Sequence, residues 1–60
     1  MIEREELKII VNEVLDKEPD TLEVARHDPH TLNYIVGKVM QRTRGQADPV
    51  LTTALIRERF

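Results

Sequence analysis

Apolar side chains recur along this chain at the spacing of one face of a helix. Leu7, Ile10, Val11, Val14 and Leu15 stand at positions i, i+3, i+4, i+7 and i+8, which places all five on one side of a 3.6-residue repeat. The same pattern returns at Leu32, Ile35, Val36, Val39 and Met40. A shorter set, Leu51, Leu55 and Ile56 with Phe60 at its edge, follows. Between the first two stripes only Leu22 and Ala25 offer a core-facing pair, so a helix there is short and depends on its neighbours for stability.

Helix boundaries are marked by capping residues and prolines. The first helix is expected from about Glu3 to Lys17, ended by Pro19 because a residue before proline is pushed out of helical geometry. The second runs from Asp20 to about Arg26, with Asp20 or Thr21 as its cap. The third opens on Asp28-Pro29. The carboxylate accepts from free amides of the first turn, and proline suits the first helical position, where no N–H is needed. Gly45 is placed to end that helix in the left-handed conformation. Asp48-Pro49 repeats the opening for the last helix. Because Arg44 to Ala47 is a short connection, the last two helices are expected to be adjacent and antiparallel or sharply angled. The pattern predicts one all-α domain over residues 1–60, a small bundle of three longer helices plus one short helix.

Composition narrows this picture. Sixty residues suffice for one domain, and a chain of this size buries only about 60% of its unfolded surface. There is no cysteine, and Tyr34 and Phe60 are the only aromatic residues. The core is therefore aliphatic and has neither disulfides nor thiolate-bound zinc to reinforce it. The absence of cysteine fits a reducing, cytoplasmic compartment. No apolar stretch is long enough for a signal sequence or a membrane span.

Charge is unevenly spread. Met1 to His30 carries four basic and nine acidic residues, net −5, and Thr31 to Phe60 carries five basic and two acidic, net +3, which together give the overall −2. A local anion-binding surface is compatible with that asymmetry. On the third helix Tyr34, Lys38 and Gln41 point away from the Leu32 stripe, with Arg42 to one side. Arg44 follows in the exit loop, and Arg57 lies on the outer face of the last helix. Tyr34, Lys38, Arg42 and Arg44 together make a patch suited to phosphates and to stacking, although any amphipathic helix also carries Lys and Arg on its wet side.

Other chemistries find little support in the sequence. His27 and His30 flank Asp28, but a helix start falls between them and no third ligand has recognisable spacing. Serine and cysteine are absent and no threonine has a positioned base. Gly37 and Gly45 belong to no phosphate-binding loop. The acidic residues of Glu3-Arg4-Glu5-Glu6 are a solvated first turn that favours the helix dipole. No catalytic residue, metal site or cofactor site is expected. Three positions read as structure. Gly37 costs its helix roughly 1 kcal/mol relative to Ala, which close helix packing or close approach of a ligand would explain, packing being favoured. The stem of Arg59 covers apolar surface while its guanidinium reaches water. Ile2 and Ile9 lie opposite the Leu7 stripe, either as ordinary exposed side chains or as a face that docks on a neighbouring segment.

The stretch from Leu32 to Phe60 closely resembles the tail shared by the GatB/YqeY family. In that family a helix of the form hydrophobic-Val-Gly-x-Val-Met leads into a basic Thr-Lys/Arg-Gly turn, then Ala-Asp/Asn-Pro and an amphipathic helix. Here these read Ile35-Val36-Gly37-Lys38-Val39-Met40, Thr43-Arg44-Gly45 and Ala47-Asp48-Pro49. The helix from Glu6 to Leu15 and the Glu18-Pro19 break are similar to the preceding part. Where many members carry a basic Gly-Lys loop, this chain has Arg26 to His30, and Gln46 stands where Lys or Arg is frequent.

The resemblance implies a helical tail at the end of the B subunit of an aspartyl/glutamyl-tRNA amidotransferase, and so a fragment of a larger subunit. Such a complex uses ATP, magnesium and glutamine to convert Glu or Asp mischarged on tRNA to the amide. Its chemistry lies outside the tail, which is expected to be no enzyme by itself and to contact the outer corner of tRNA. Implied partners are tRNA, the other domains of the B subunit and, through them, the amidase A subunit and the small C subunit. Lys38, Arg42, Arg44 and Arg57 are the expected phosphate contacts, with Tyr34 as an adjacent surface contact. The rival reading is a scaffold or docking domain, of the free-standing YqeY-like kind, that binds no RNA and uses the face of Ile2 and Ile9.

Overall fold

The computed structural model describes residues 1–60 and contains four helices: α1 (Arg4–Lys17), α2 (Pro19–Ala25), α3 (Pro29–Arg42) and α4 (Pro49–Arg57). The two five-residue stripes define the core. Leu7, Val11, Val14 and Leu15 of α1 are buried, as are Leu32, Ile35 and Val39 of α3. Leu55 and Ile56 of α4 complete the cluster with Ala25 and Ala47. Ile10, Val36, Met40, Leu22, Leu51 and Phe60 pack around its rim. α1 lies against α2, α3 and α4, and α3 also meets α2 and α4. The two long stripes thus face each other, and α2 and α4 close the core where one interface would leave apolar surface wet.

Both Asp-Pro openings are capped. Asp28 Oδ1 accepts from the backbone N–H of His30 at 3.0 Å, and its Oδ2 accepts from the Thr31 hydroxyl at 3.0 Å. Asp48 Oδ1 accepts from the N–H of Val50 at 2.8 Å. The α2 opening differs from expectation. Pro19 is its first residue and Glu18 its cap position, without a side-chain hydrogen bond to the backbone. Asp20 and Thr21 therefore lie inside the first turn, because proline's fixed φ and missing N–H suit the first helical position and start the helix one residue earlier. α4 ends at Arg57, and the last residues form a turn in which the Phe60 N–H donates to Arg57 O at 3.0 Å.

The end of α3 also departs from the simple glycine stop. The Gly45 N–H donates to Met40 O at 2.9 Å and the Arg44 N–H to Gln41 O at 3.2 Å, the paired bonds of a Schellman motif. In that register Arg44 itself holds the left-handed position, with φ 53°, and Gly45 follows at φ 77°. The turn is secured by Thr43, one of two buried threonines. Its hydroxyl donates to Val39 O at 3.0 Å and accepts from the Ala47 N–H at 3.3 Å. The other, Thr52, returns its hydroxyl to Asp48 O at 2.8 Å.

Two structural expectations are corrected and a third is refined. Ile2 packs against the core rather than lying open beside Ile9, which is exposed, so the two do not make a shared apolar docking face. Arg59 is exposed, as expected, and its guanidinium in addition donates to Asn12 Oδ1 at 2.8 Å and Asp16 Oδ1 at 3.0 Å on α1. Its long stem spans the α1–α4 contact, a pairing that no local spacing reveals. Gly37 is exposed, and a Cβ built there would meet nothing within 4 Å, so close helix packing does not account for it.

Candidate nucleic-acid interface

The residues expected to contact nucleic acid are carried mainly by α3. From Pro29 to Ala47 the chain contains no acidic residue, so the outer side of this helix and its exit turn lack local carboxylates. Tyr34 is half exposed, and Lys38 Nζ lies 5.5 Å from the centroid of its ring, within the range of a cation–π contact.

Neighbouring helices alter that picture. Lys38 Nζ donates to Glu18 Oε2 at 3.0 Å, and Arg42 Nη2 donates to Glu13 Oε1 at 3.1 Å. The second oxygen of Glu18 accepts from the Thr21 hydroxyl at 3.3 Å, so one carboxylate ties the α1–α2 junction to α3. The Glu18 carboxylate raises the Lys38 pKa above its ordinary 10.5, with Tyr34 contributing second. Lys38 therefore keeps its full charge at neutral pH, but much of its field falls on Glu18.

Beside these pairs is a shallow groove of about 380 Å³, lined by Val14, Lys17, Glu18, Lys38, Gln41 and Arg42. Lys17 forms no ion pair, and neither do Arg44 and Arg57. Arg44 follows α3 in the exit turn, where the left-handed backbone sets its direction. Arg57 lies elsewhere, in a second groove of about 290 Å³ with Arg26, His27, Asp28, Pro29, Leu32 and Phe60. The structure thus places Tyr34, Lys38 and Arg42 along one helix, Arg44 just past its end and Arg57 apart from them. Sequence reasoning missed Lys17, and also Glu13 and Glu18 as partners of the α3 cations. Those pairs span 29 and 20 residues of chain, too far for any local spacing to show.

His27 approaches Glu23 at 4.0 Å, but no group of three or more His, Cys, Asp or Glu side chains is placed to hold a metal ion. With no such donor set and no glycine-rich loop, these residues do not fit an ATP–magnesium site. No helix is long and apolar enough to cross a membrane.

Comparison with known families and proteins matches the sequence to one family. A family model described as the GatB domain covers residues 1–60. The chain belongs to the GatB domain family. Among curated relatives, this GatB domain is 49% identical over 49 residues to the B subunit of the aspartyl/glutamyl-tRNA(Asn/Gln) amidotransferase of Sulfurisphaera tokodaii, covering 82% of the chain and 10% of the relative. It is 45% identical to the corresponding protein of Sulfolobus acidocaldarius, over 82% of the chain and 10% of the relative. With that of Methanopyrus kandleri it shares 38% identity over 97% of the chain and 13% of the relative. The GatB domain thus spans roughly a tenth of these proteins, in their C-terminal part. No solved structure matches it.

Proposed function

We propose that this GatB domain is a tRNA-binding module of a glutamine-dependent aspartyl/glutamyl-tRNA amidotransferase. In this reading it works as the tail of the B subunit, holds no catalytic group, and leaves ATP, magnesium and ammonia transfer to other parts of the complex. Its task is to contact the sugar-phosphate surface of the tRNA outer corner and so help select tRNA by shape, the usual means by which folded RNA is read. The observation that carries this is the acid-free stretch from Pro29 to Ala47, which presents Tyr34, Lys38, Arg42 and Arg44 on one helix and its exit turn. Phosphate contacts release counterions, so binding through these side chains weakens steeply as salt rises. Arg57, in the second groove, is assigned a peripheral phosphate contact. The other domains of the B subunit, and through them the A and C subunits, are its protein partners.

The test is a backbone amide NMR titration of the 60-residue chain with folded tRNA at low and moderate salt. Shifts clustered on Tyr34, Lys38, Arg42 and Arg44 that fade with salt are expected. In the variant Lys38→Glu/Arg42→Glu/Arg44→Glu the helical content should stay nearly unchanged while binding is lost. Unaltered affinity in that variant refutes the reading.

A further inference from the structure

The exposed glycine at the middle of α3 has no intramolecular explanation. Gly37 stands in the helix interior, where glycine is the poorest residue after proline. Its φ is not left-handed, so the backbone does not require it. Nothing lies within 4 Å of a Cβ built there, so packing does not require it either. Helical periodicity puts His30, Asn33, Tyr34 and Gln41 around it on the outward face, and all four are exposed. Apart from the contact of the Tyr34 ring with Lys38, their side chains make no polar interaction within the protein. The centre of this face is therefore bare helix backbone, ringed by unengaged polar groups and one aromatic ring.

Resting on the tRNA reading above, we propose that Gly37 is the point of closest approach between this domain and the RNA, where a ribose-phosphate segment lies directly against the α3 backbone. The occupant is argued from charge and polarity. The exposed side chains of this face include no acidic and no apolar aliphatic one, Met40 at i+3 being partly buried on the core rim, and Lys38 and Arg42 flank it while Arg44 follows the helix. A protein partner would call for an apolar centre, whereas amide, imidazole and phenol groups around a flat spot suit phosphate oxygens and 2′-hydroxyls. Lacking a Cβ, Gly37 lets the RNA backbone seat deeply enough for Asn33 and Gln41 to reach it from both sides. Gly37 is thus a positioning residue that acts through the shape it leaves open.

The test separates fold from binding, because the two respond to the same substitution with opposite sign. Gly37→Ala fits the helix without strain, and its melting temperature should rise by about 4–8 °C, since alanine is the better helix former. In a fluorescence anisotropy titration with unfractionated folded tRNA, the same variant should bind about tenfold more weakly, because a methyl group forced into a close contact displaces the RNA. Gly37→Ser, larger and polar, should also bind more weakly than wild type. A Gly37→Ala protein that is stabilised yet binds tRNA within about twofold of wild type overturns this inference while leaving the tRNA reading standing. A wild-type chain with no salt-dependent binding defeats the tRNA reading, and this inference with it.

Discussion

Replacing Thr43 with valine removes one oxygen while keeping the shape of the side chain, so its effect can be traced to a single hydrogen bond. The Thr43 hydroxyl is buried at the end of α3, and its partner Ala47 is buried too. The two α3 carbonyls near the hydroxyl do not depend on it. Val39 O also accepts from the Thr43 N–H at 3.0 Å, and Met40 O accepts from the Gly45 N–H at 2.9 Å. The Ala47 N–H has no acceptor other than Thr43 Oγ1, at 3.3 Å. Thr43→Val therefore leaves one buried amide unpaired, a loss of about 1–3 kcal/mol. The long donor–acceptor distance and the extra methyl move the expectation to the lower half, about 1–2 kcal/mol. A 60-residue domain has only about 3–9 kcal/mol in all, and at about 4–8 °C per kcal/mol the melting temperature should fall by roughly 5–15 °C. Thermal unfolding followed by far-UV circular dichroism measures it, with Thr43→Ser as the companion. Serine keeps the hydroxyl and loses a methyl group, about 0.8 kcal/mol. Valine as stable as wild type, or serine as damaging as valine, would show that the hydroxyl bridge is not what holds the turn carrying Arg44.

Two further outcomes are expected. Glu13→Gln/Glu18→Gln frees Arg42 and Lys38, while the amide oxygen introduced beside Thr21 still accepts from its hydroxyl, so tRNA affinity should rise about two- to tenfold. The salt dependence should steepen as well, because carboxylates released in the wild type recruit cations and offset part of the counterion release. Glu3→Gln/Glu6→Gln, which changes net charge equally at residues outside any ion pair, is the control. An equal gain in both would reduce the effect to net charge. Second, hydrogen bonds from Thr31 and the His30 amide hold the Asp28 carboxyl below its ordinary 3.8. A carboxyl lowered in the folded state contributes stability that is complete above its unfolded value and is lost as the pH falls through the folded one. Asp28→Asn keeps an acceptor for the cap but does not titrate, so its stability should fall less below about pH 4 in acid unfolding curves, and identical acid limbs would contradict the assignment.

The hydrophobic period, read residue by residue, determined the helices and the core. Leu7 to Leu15 and Leu32 to Met40 each show one apolar face, and a helix with such a face must bury it, so sequence alone sufficed to place α1 against other helices. The Asp-Pro openings were equally legible, because an N-cap and a proline at the first helical position act within one turn of chain. The cations of α3 were legible as well, as were the family and the tail motif that carries them.

What the sequence left undecided involves partners far apart in the chain. Whether Lys38 and Arg42 stand free or face Glu18 and Glu13 depends on how α1 packs on α3, and charge counting along one helix contains no term for that. The same holds for Arg59, which meets Asn12 and Asp16 only because α4 returns against α1. Ile2 reads as exposed by helical periodicity, yet it precedes α1 and the chain folds it onto the core. Gly45 reads as the left-handed stop, yet the Schellman register assigns that conformation to Arg44, since the hydrogen bonds closing the helix count back from where the turn meets Thr43. Gly37 is the sharpest case. Its cost to the helix is visible in the sequence, but only the tertiary structure shows that no other part of the chain packs against it.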